Sequence, residues 1–324
     1  MKILVCGGAG YIGSHMIKLL SERGHDPVTL DNLTTGHRQA VRWGKLIEGD
    51  ILDRDALHSV FRAVQFDAVM HFSARSLVGE SVVDPSAYYH NNVIGSWTLL
   101  EAMREYGVRR FIFSSTAATF GVPEQNLIDE SHPQHPINPY GWSKLMVEQI
   151  LRDYAQAYVI ASVSLRYFNA AGADPSGEIG ESHQPETHLI PNVLRSLLKN
   201  GVPLRIFGTD YPTRDGTCVR DYIHVSDLCE AHLLALQFLD GQTGAHAFNL
   251  GNGEGFSILD VIRAAQNITA RSIAYEVAPR RAGDPPMLVA NSKKAREVLG
   301  WAPRLNRLED IVSSAWRWHQ QAHY

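Results

Sequence analysis

Cysteine is scarce in this chain of 324 residues: Cys6, Cys218 and Cys229 are scattered, with no Cys-x-x-Cys pair. That excludes a disulfide framework or a zinc knuckle and predicts a reducing compartment, the cytoplasm. Long apolar runs are missing too, each ending in glycine or a charge far short of the ~20 residues that cross a bilayer. The apolar start Lys2–Cys6 is cut off by Gly7 and Gly8 before a signal core can form. Positive charge is not in excess, since 30 Lys and Arg against 34 Asp and Glu give a net charge of −4. Without a basic field, neither nucleic acid nor a membrane surface is expected as a partner. The 15 histidines include no His-Glu-x-x-His or similar ligand spacing, so no metal is expected.

What is present is ordinary globular material, 44% hydrophobic and 20% charged. The length suits about two domains and a core that removes ~75% of the unfolded chain's surface from water. The first half alternates short β-branched runs with amphipathic stretches, the pattern of βα units in a doubly wound parallel sheet. Strands are predicted at Lys2–Cys6, Val28–Asp31, Lys45–Glu48, Ala68–His71, Arg110–Ser114 and Ser162–Tyr167. Helices are predicted between them at Tyr11–Glu22, Asp53–Val64, Asn91–Tyr106 and Gly141–Ala157. Beyond Tyr167 the rhythm loosens. Residues 169–186 read as a long loop, and helices follow at Leu189–Lys199, Ser226–Leu239, Ile258–Gln266 and Lys293–Leu299.

The first βα junction reads KILVCGGAGYIG, with Gly7, Gly10 and Gly13 spaced by three between a strand and a helix. Glycines there let backbone amides and a helix N-terminus approach a pyrophosphate without Cβ clashes. A glycine triplet alone is a weak signal, and a tight βα turn would look the same. An acid at the end of the second strand strengthens it: Asp31, 18 residues past Gly13, stands where ribose hydroxyls are bound. A carboxylate repels a 2′-phosphate, so the expected cofactor is NAD rather than NADP, although His37 and Arg38 follow closely.

Tyr140 and Lys144 lie four apart behind Pro139, on one face of a predicted helix. The spacing is common by chance, and a surface Tyr–Lys contact would show it too. Its chemistry is specific: a nearby ammonium and a nicotinium ring favour phenolate, lowering the tyrosine from its usual ~10 toward a working base. The strand RFIFSSTAATFG places Ser114, Ser115 and Thr116 at the carboxyl end of the sheet, where open α/β sheets bind ligands. A hydroxyl there can hydrogen-bond a reacting oxygen and pass its proton to the tyrosine.

At this point the chain resembles the extended short-chain dehydrogenase/reductases, and within them the 4-epimerases of UDP-hexoses. The matching segments are GGAGYIGSH at 7–15, DNL at 31–33, EGDI at 48–51, VGESV at 78–82, NNV at 91–93 and YGWSKLMVEQI at 140–150. They continue with LRYFNAAGADPSG at 165–177, GTCVRDYIHVSDL at 216–228 and RRAGDPP at 280–286. So many in one order are far more specific than any one motif.

The resemblance implies an α/β architecture: a Rossmann-type doubly wound parallel sheet with a smaller, interleaved C-terminal substrate lobe. Residues 1–168, with returning segments near 216–250, would bind NAD, and 169–324 would mainly bind the UDP-sugar. Gly7, Gly10, Tyr11, Ile12 and Gly13 would meet the cofactor's phosphates, Asp31 and Asn32 its ribose, and Asp50 and Ile51 its adenine. Phe72, Ser73 and Ala74 would line its diphosphate and ribose side, and Asn91, Lys144 and Phe168 would serve its nicotinamide half. Thr116 and Tyr140 take the catalytic hydroxyl and base positions, Tyr140 being the base. Asn169, Leu189 and Phe207 would contact the nucleotide's diphosphate and uracil, and Arg220, Arg281 and Asp284 its phosphates and ribose. The resemblance also implies a homodimer paired through the helices at 91–106 and 141–157.

The implied reaction is reversible epimerisation at carbon 4 by transient hydride transfer to NAD. The same residues would serve UDP-N-acetylhexosamines, UDP-pentoses or UDP-uronates, and a non-catalytic NAD-binding regulator would share the fold. A 4,6-dehydratase needs an acid and a base after the strand-end threonine, where Ala117 and Ala118 stand instead. The chain departs from the pattern at four places: Ser73-Ala74 followed by Arg75, Phe120 for a common tyrosine, His188 where some members have asparagine, and Leu288 where some relatives carry a tyrosine that narrows the sugar pocket.

Overall fold

In β1 (Lys2–Cys6), Ile3 and Val5 join one buried apolar cluster, and Leu4 and Cys6 join a second. A strand whose alternate residues are buried on both faces requires a packed layer on each side. The computed structural model, which describes residues 1–198, 203–280 and 284–324, supplies both layers.

From β1 the chain runs through α1 (Tyr11–Glu22), β2 (Asp26–Asp31), β3 (Lys45–Glu48), α2 (Arg54–Ala63) and β4 (Ala68–His71). Short helices α3 (Val78–Val83) and α4 (Pro85–Tyr88) then lead through a π-helical stretch, Tyr89–Ile94, into α5 (Gly95–Glu105). Next come β5 (Arg110–Thr116), α6 (Pro139–Tyr158), β6 (Ala161–Tyr167) and the short β7 (Asn169–Ala171). The remainder comprises α7 (Leu189–Arg195), β8 (Leu204–Phe207), β9 (Val219–Arg220), β10 (Tyr222–His224), α8 (Val225–Phe238) and β11 (Ala245–Leu250). It ends with β12 (Phe256–Ser257), α9 (Ile258–Thr269), β13 (Tyr275–Ala278), β14 (Met287–Leu288), α10 (Lys293–Leu299) and α11 (Leu308–Gln320).

Seven strands form one wholly parallel sheet in the order β11-β6-β5-β4-β1-β2-β3. The chain winds outward from β1 to β3, then returns to β4 on the other side of β1. That reversal opens a crevice at the carboxyl ends of β1 and β4, where such sheets take ligands. α1 and α8 cover one face with Met16, Ile17, Leu20, Leu233 and Leu236. α2, α5 and α6 cover the other with Leu57, Leu99, Met103, Val147 and Leu151. A third cluster joins α7, α9 and α11 through Ile190, Val261, Ile311 and Val312. Each such side chain, fully buried, contributes roughly 1.5–3 kcal/mol. Short pairs, β7 with β10 and β8 with β13, and the trio β12-β9-β14 sit apart from the main sheet. No helix among the described residues is long and apolar enough to cross a membrane.

Helix starts follow local chemistry. Asp53 caps α2 by accepting from Ala56 N at 3.0 Å, Asn138 caps α6 from Gly141 N at 2.9 Å, and Ser257 with Asp260 forms a capping box on α9. Three expectations are corrected. The helix predicted from Asn91 begins as a π-helical stretch, where buried Asn92 is tied to neighbouring segments by its side chain. The loop predicted for 169–186 opens with β7, because Asn169 to Ala171 pair in register with Tyr222 to His224. The helix predicted at Leu189–Lys199 stops at Arg195, and Lys199 lies outside the described residues.

Candidate active site

The turn after β1 is built by close backbone approach. A Cβ on Gly13 would lie 2.0 Å from the Gly7 carbonyl oxygen, so only glycine lets α1 start this near the strand. Gly10 is the N-cap of α1 and gives no side-chain cap, and the first turn holds no acid. The leading amides, including those of Tyr11 and Ile12, are therefore offered to an outside anion, which is what a cofactor pyrophosphate needs. The residues fit a dinucleotide. Asp31, buried at the end of β2, accepts from Ala9 N at 2.9 Å and Leu33 N at 2.8 Å, which aims its carboxylate across the same turn. Burial pushes its pKa up, and these two amides oppose that. Asn32 donates to Asp50 at 2.8 Å, and Ile51 is buried against Gly95. His37 is engaged with the Ser182 carbonyl at 2.9 Å and Arg38 pairs with Glu48, so both basic side chains near Asp31 already have partners.

Thr116 ends β5, and its hydroxyl accepts from Ala118 N at 3.1 Å. A Cβ on Gly141 would sit 2.4 Å from the Ala118 carbonyl oxygen, so the first turn of α6 can press onto this short turn. That contact brings Tyr140 beside Thr116. One helical turn on, Lys144 is 3% exposed and donates to the Ser114 carbonyl at 2.8 Å, with its ammonium 4.7 Å from the Phe113 ring centre. Burial lowers the Lys144 pKa to about 7, against the pull of Glu148. Burial also raises the Tyr140 phenol, and Thr116 acts in the opposite sense. Burial is therefore the larger effect on the phenol in the cofactor-free pocket, and the Lys144 amine donates to the Ser114 carbonyl.

Two buried networks that sequence reasoning missed hold this corner. Glu148, one turn past Lys144, takes Arg166 of β6 through Nε at 3.0 Å and Nη2 at 2.6 Å, and Ser115 Oγ at 2.6 Å. Asn92 accepts from Arg75 N at 2.9 Å and donates to Arg75 O and Ser143 Oγ, both at 3.0 Å. A signal existed for the first: Glu148 falls at i+4 from Lys144, on the helix face that must be buried. Nothing local marks Asn92.

On the other side of the crevice, Asn169 donates its side-chain amide to Asp221 O at 2.9 Å. Arg220 pairs with Asp284, and Leu288 lies opposite Arg220 in the β9–β14 register. Leu288 and Phe168 pack on the cluster of Ala117, Phe120 and Ile128 just beyond Thr116. Leu189 begins α7, Phe207 ends β8, and Asn91 donates to Asn92 at 2.9 Å. The Phe72 ring is tilted against the His232 ring with centroids 4.9 Å apart, and Ser73 and Ala74 follow at the mouth of β4. Arg281 lies outside the described residues.

Residues 3–251 match the description "NAD dependent epimerase/dehydratase family". The chain belongs to that family. It is 52% identical over 323 residues to the UDP-glucose 4-epimerase of Halalkalibacterium halodurans, covering 99% of this chain and 96% of that one. The UDP-glucose 4-epimerase of Brucella ovis, solved in complex with NAD, is 49% identical with a TM-score of 0.93, covering 97% of each chain. The Bifidobacterium longum UDP-glucose 4-epimerase, solved with NAD+ and UDP, is 36% identical at a TM-score of 0.93, covering 99% of each. As a member of the NAD dependent epimerase/dehydratase family, the chain has NAD as its cofactor, in keeping with the uncapped α1 turn and the Asp31 carboxylate.

Proposed function

We propose that this protein interconverts UDP-glucose and UDP-galactose by inverting carbon 4 of the hexose. The observation that carries this reading is the convergence of Thr116, Tyr140 and Lys144 at the carboxyl end of β5, on the same sheet edge of carboxyl ends from which β1 leads into the uncapped start of α1. When bound, NAD supplies a hydride acceptor, then donor, and a positive charge. Tyr140 takes the proton of the sugar 4-hydroxyl, with Thr116 hydrogen-bonding the reacting oxygen, and returns the proton once the flat 4-keto sugar has turned over. Lys144 orients the cofactor's nicotinamide ribose. Burial keeps the Tyr140 phenol protonated until positive charge enters the pocket, which couples the base to the loaded state.

The amides of Gly7 to Gly13 would hold the phosphates of NAD, Asp31 and Asn32 its ribose, and Asp50 and Ile51 its adenine. Phe72, Ser73, Ala74, Asn91 and Phe168 line the rest of the NAD site. Asn169, Leu189, Phe207, Arg220, Arg281 and Asp284 hold the UDP, whose binding energy anchors the nucleotide while the sugar turns. Residues 1–168, with returning segments near 216–250, form the NAD domain, and 169–324 mainly form the UDP-sugar lobe. Ile94, Trp97, Trp142 and Met146 are 41–46% exposed on the π-helical stretch, α5 and α6, a face suited to a second copy of the chain in a homodimer. The buried cysteine thiols suit a cytoplasmic protein.

Incubating the purified protein with UDP-galactose and no added cofactor should yield UDP-glucose, establishing epimerisation and retained NAD together. No conversion with NAD supplied would overturn the reading. Leu288, packed on the cluster of Ala117, Phe120 and Ile128, favours a second substrate class, UDP-N-acetylhexosamines, because an aliphatic side chain leaves more room than a tyrosine. Normal turnover of UDP-galactose with none of UDP-N-acetylglucosamine would sink that extension.

A further inference from the structure

Far from Thr116 in sequence, the loop between β7 and α7 ends in four ligand-type side chains. Glu181, His183, Glu186 and His188 each direct one nitrogen or oxygen into a shared volume, all within 4.8 Å of one another. His183 Nδ1 lies 3.2 Å from Glu181 Oε1 and 3.7 Å from Glu186 Oε1, and His188 Nδ1 contacts the same Glu181 oxygen. Donors about 2.0–2.2 Å from a tetrahedral ion stand ~3.4 Å from each other, so the His183 separations already approximate the edges of such a shell.

Burial of the acids calls for positive charge at their centre. Both glutamate side chains are only 3% exposed, and two carboxylates cannot be held so close without compensating positive charge. Glu186 Oε2 is buried with no hydrogen-bond partner, its nearest cation being Arg195 Nη2 at 3.7 Å. A second buried orphan, His319 Nε2 on α11, is near enough for both carboxylates to act on its ring.

We propose that Glu181, His183, Glu186 and His188 form a structural binding site for a divalent transition-metal ion of the zinc type. Two imidazoles and two carboxylates suit such an ion better than magnesium or calcium, which take oxygen shells. The donors alternate along a non-helical turn, a pattern that the His-Glu-x-x-His template does not detect. The turn is braced from outside. The Glu181 carbonyl accepts Trp318 Nε1 at 2.9 Å, the Ser182 carbonyl meets His37, and the Tyr11 ring stands edge-on to His183 at 6.3 Å. An ion here pins the loop to the N-cap of α7 and to the start of α1.

The test is metal binding to the intact, chelator-treated protein, read by calorimetry and by thermal unfolding rather than by turnover. Titration with Zn2+ should saturate at one ion per chain and, at a hundredfold excess over Kd, raise Tm by about 5 °C. His183→Ala with His188→Ala should weaken binding beyond the ~10–100-fold typical of losing an outer-shell partner. Glu186→Gln, which keeps size and shape, should weaken it as well and guards against the histidine double variant failing to fold. X-ray absorption of the Zn2+-loaded protein should show two imidazole nitrogens with oxygen donors. Absence of saturable binding, or binding unchanged in the folded variants, would overturn the site.

Discussion

Glu148 and Arg166 are the place to perturb the scaffold beneath the corner formed by Thr116, Tyr140 and Lys144. Their side chains are 2% and 5% exposed, and they meet at 2.6 Å while Ser115 donates to the same carboxylate. In Glu148→Ala the guanidinium stays buried with Gln134 Oε1, 3.2 Å away, as its remaining side-chain acceptor. Stranding one partner of a buried pair costs about 3–5 kcal/mol, whereas replacing both by apolar groups of similar volume is close to neutral. At roughly 2 °C per kcal/mol for a chain of this size, Glu148→Ala should lower Tm by roughly 6–10 °C. Glu148→Met combined with Arg166→Leu should recover most of the loss, giving a large coupling in a double-mutant cycle. The assay is thermal unfolding of the wild type, both single variants and the double variant at one protein concentration. A cost below ~1 kcal/mol for Glu148→Ala, the scale of an exposed ion pair, would refute the reasoning. Glu148 also holds the Lys144 pKa up, so its loss should move that group further below about 7.

Tyr140→Phe should reduce epimerisation by ~10²–10⁴ while leaving Tm nearly unchanged, measured by product separation and calorimetry, because only the base is removed. Gly13→Ala should strip NAD from the purified protein, read from the absorbance of released cofactor, since its Cβ would fall 2.0 Å from the Gly7 carbonyl oxygen. Lys144 is lowered by burial from 10.5 to about 7, so from pH 7 to 10.5 the unfolded chain binds a proton there that the folded chain does not. Stability of the wild type should therefore rise with pH across that window relative to Lys144→Met, by at most ~1.4 kcal/mol per unit. Equal pH slopes in denaturant unfolding of the two proteins would contradict this.

Features that obey a local rule were legible in the residues. β1, β3 and β4 begin and end where the apolar runs do, and α1 and α10 match their predicted bounds. Boundaries moved where a neighbour decided them: β5 runs on to Thr116 because Ser115 and Thr116 pair with Arg166 and Tyr167 across the sheet. α11 carries a clear apolar stripe, Leu308, Ile311, Val312, Ala315 and Trp318, yet was not predicted. The stripe could have found it. The Asn92 strap and the loop cluster at Glu181 were of another kind, since their meaning lies in contacts between distant segments or in a turn with no periodicity.

The same division explains why the catalytic chemistry was only half readable. Residue types and spacing pointed to Thr116, Tyr140 and Lys144, but not to the sense in which the fold biases them. Burial disfavours charge on both the phenol and the ammonium, and the ammonium's hydrogen bond goes to a strand carbonyl. A base held neutral by its surroundings is a poor base until those surroundings gain charge. On the proposed mechanism, such a site withholds proton abstraction until the cofactor is seated, which suits a reaction that must return its hydride to the same sugar. Lys144 then contributes through position as much as through charge. Lys144→Arg should accordingly fail to restore activity in spite of its permanent charge, because a planar guanidinium cannot occupy the compact place between Ser114 and the Phe113 ring.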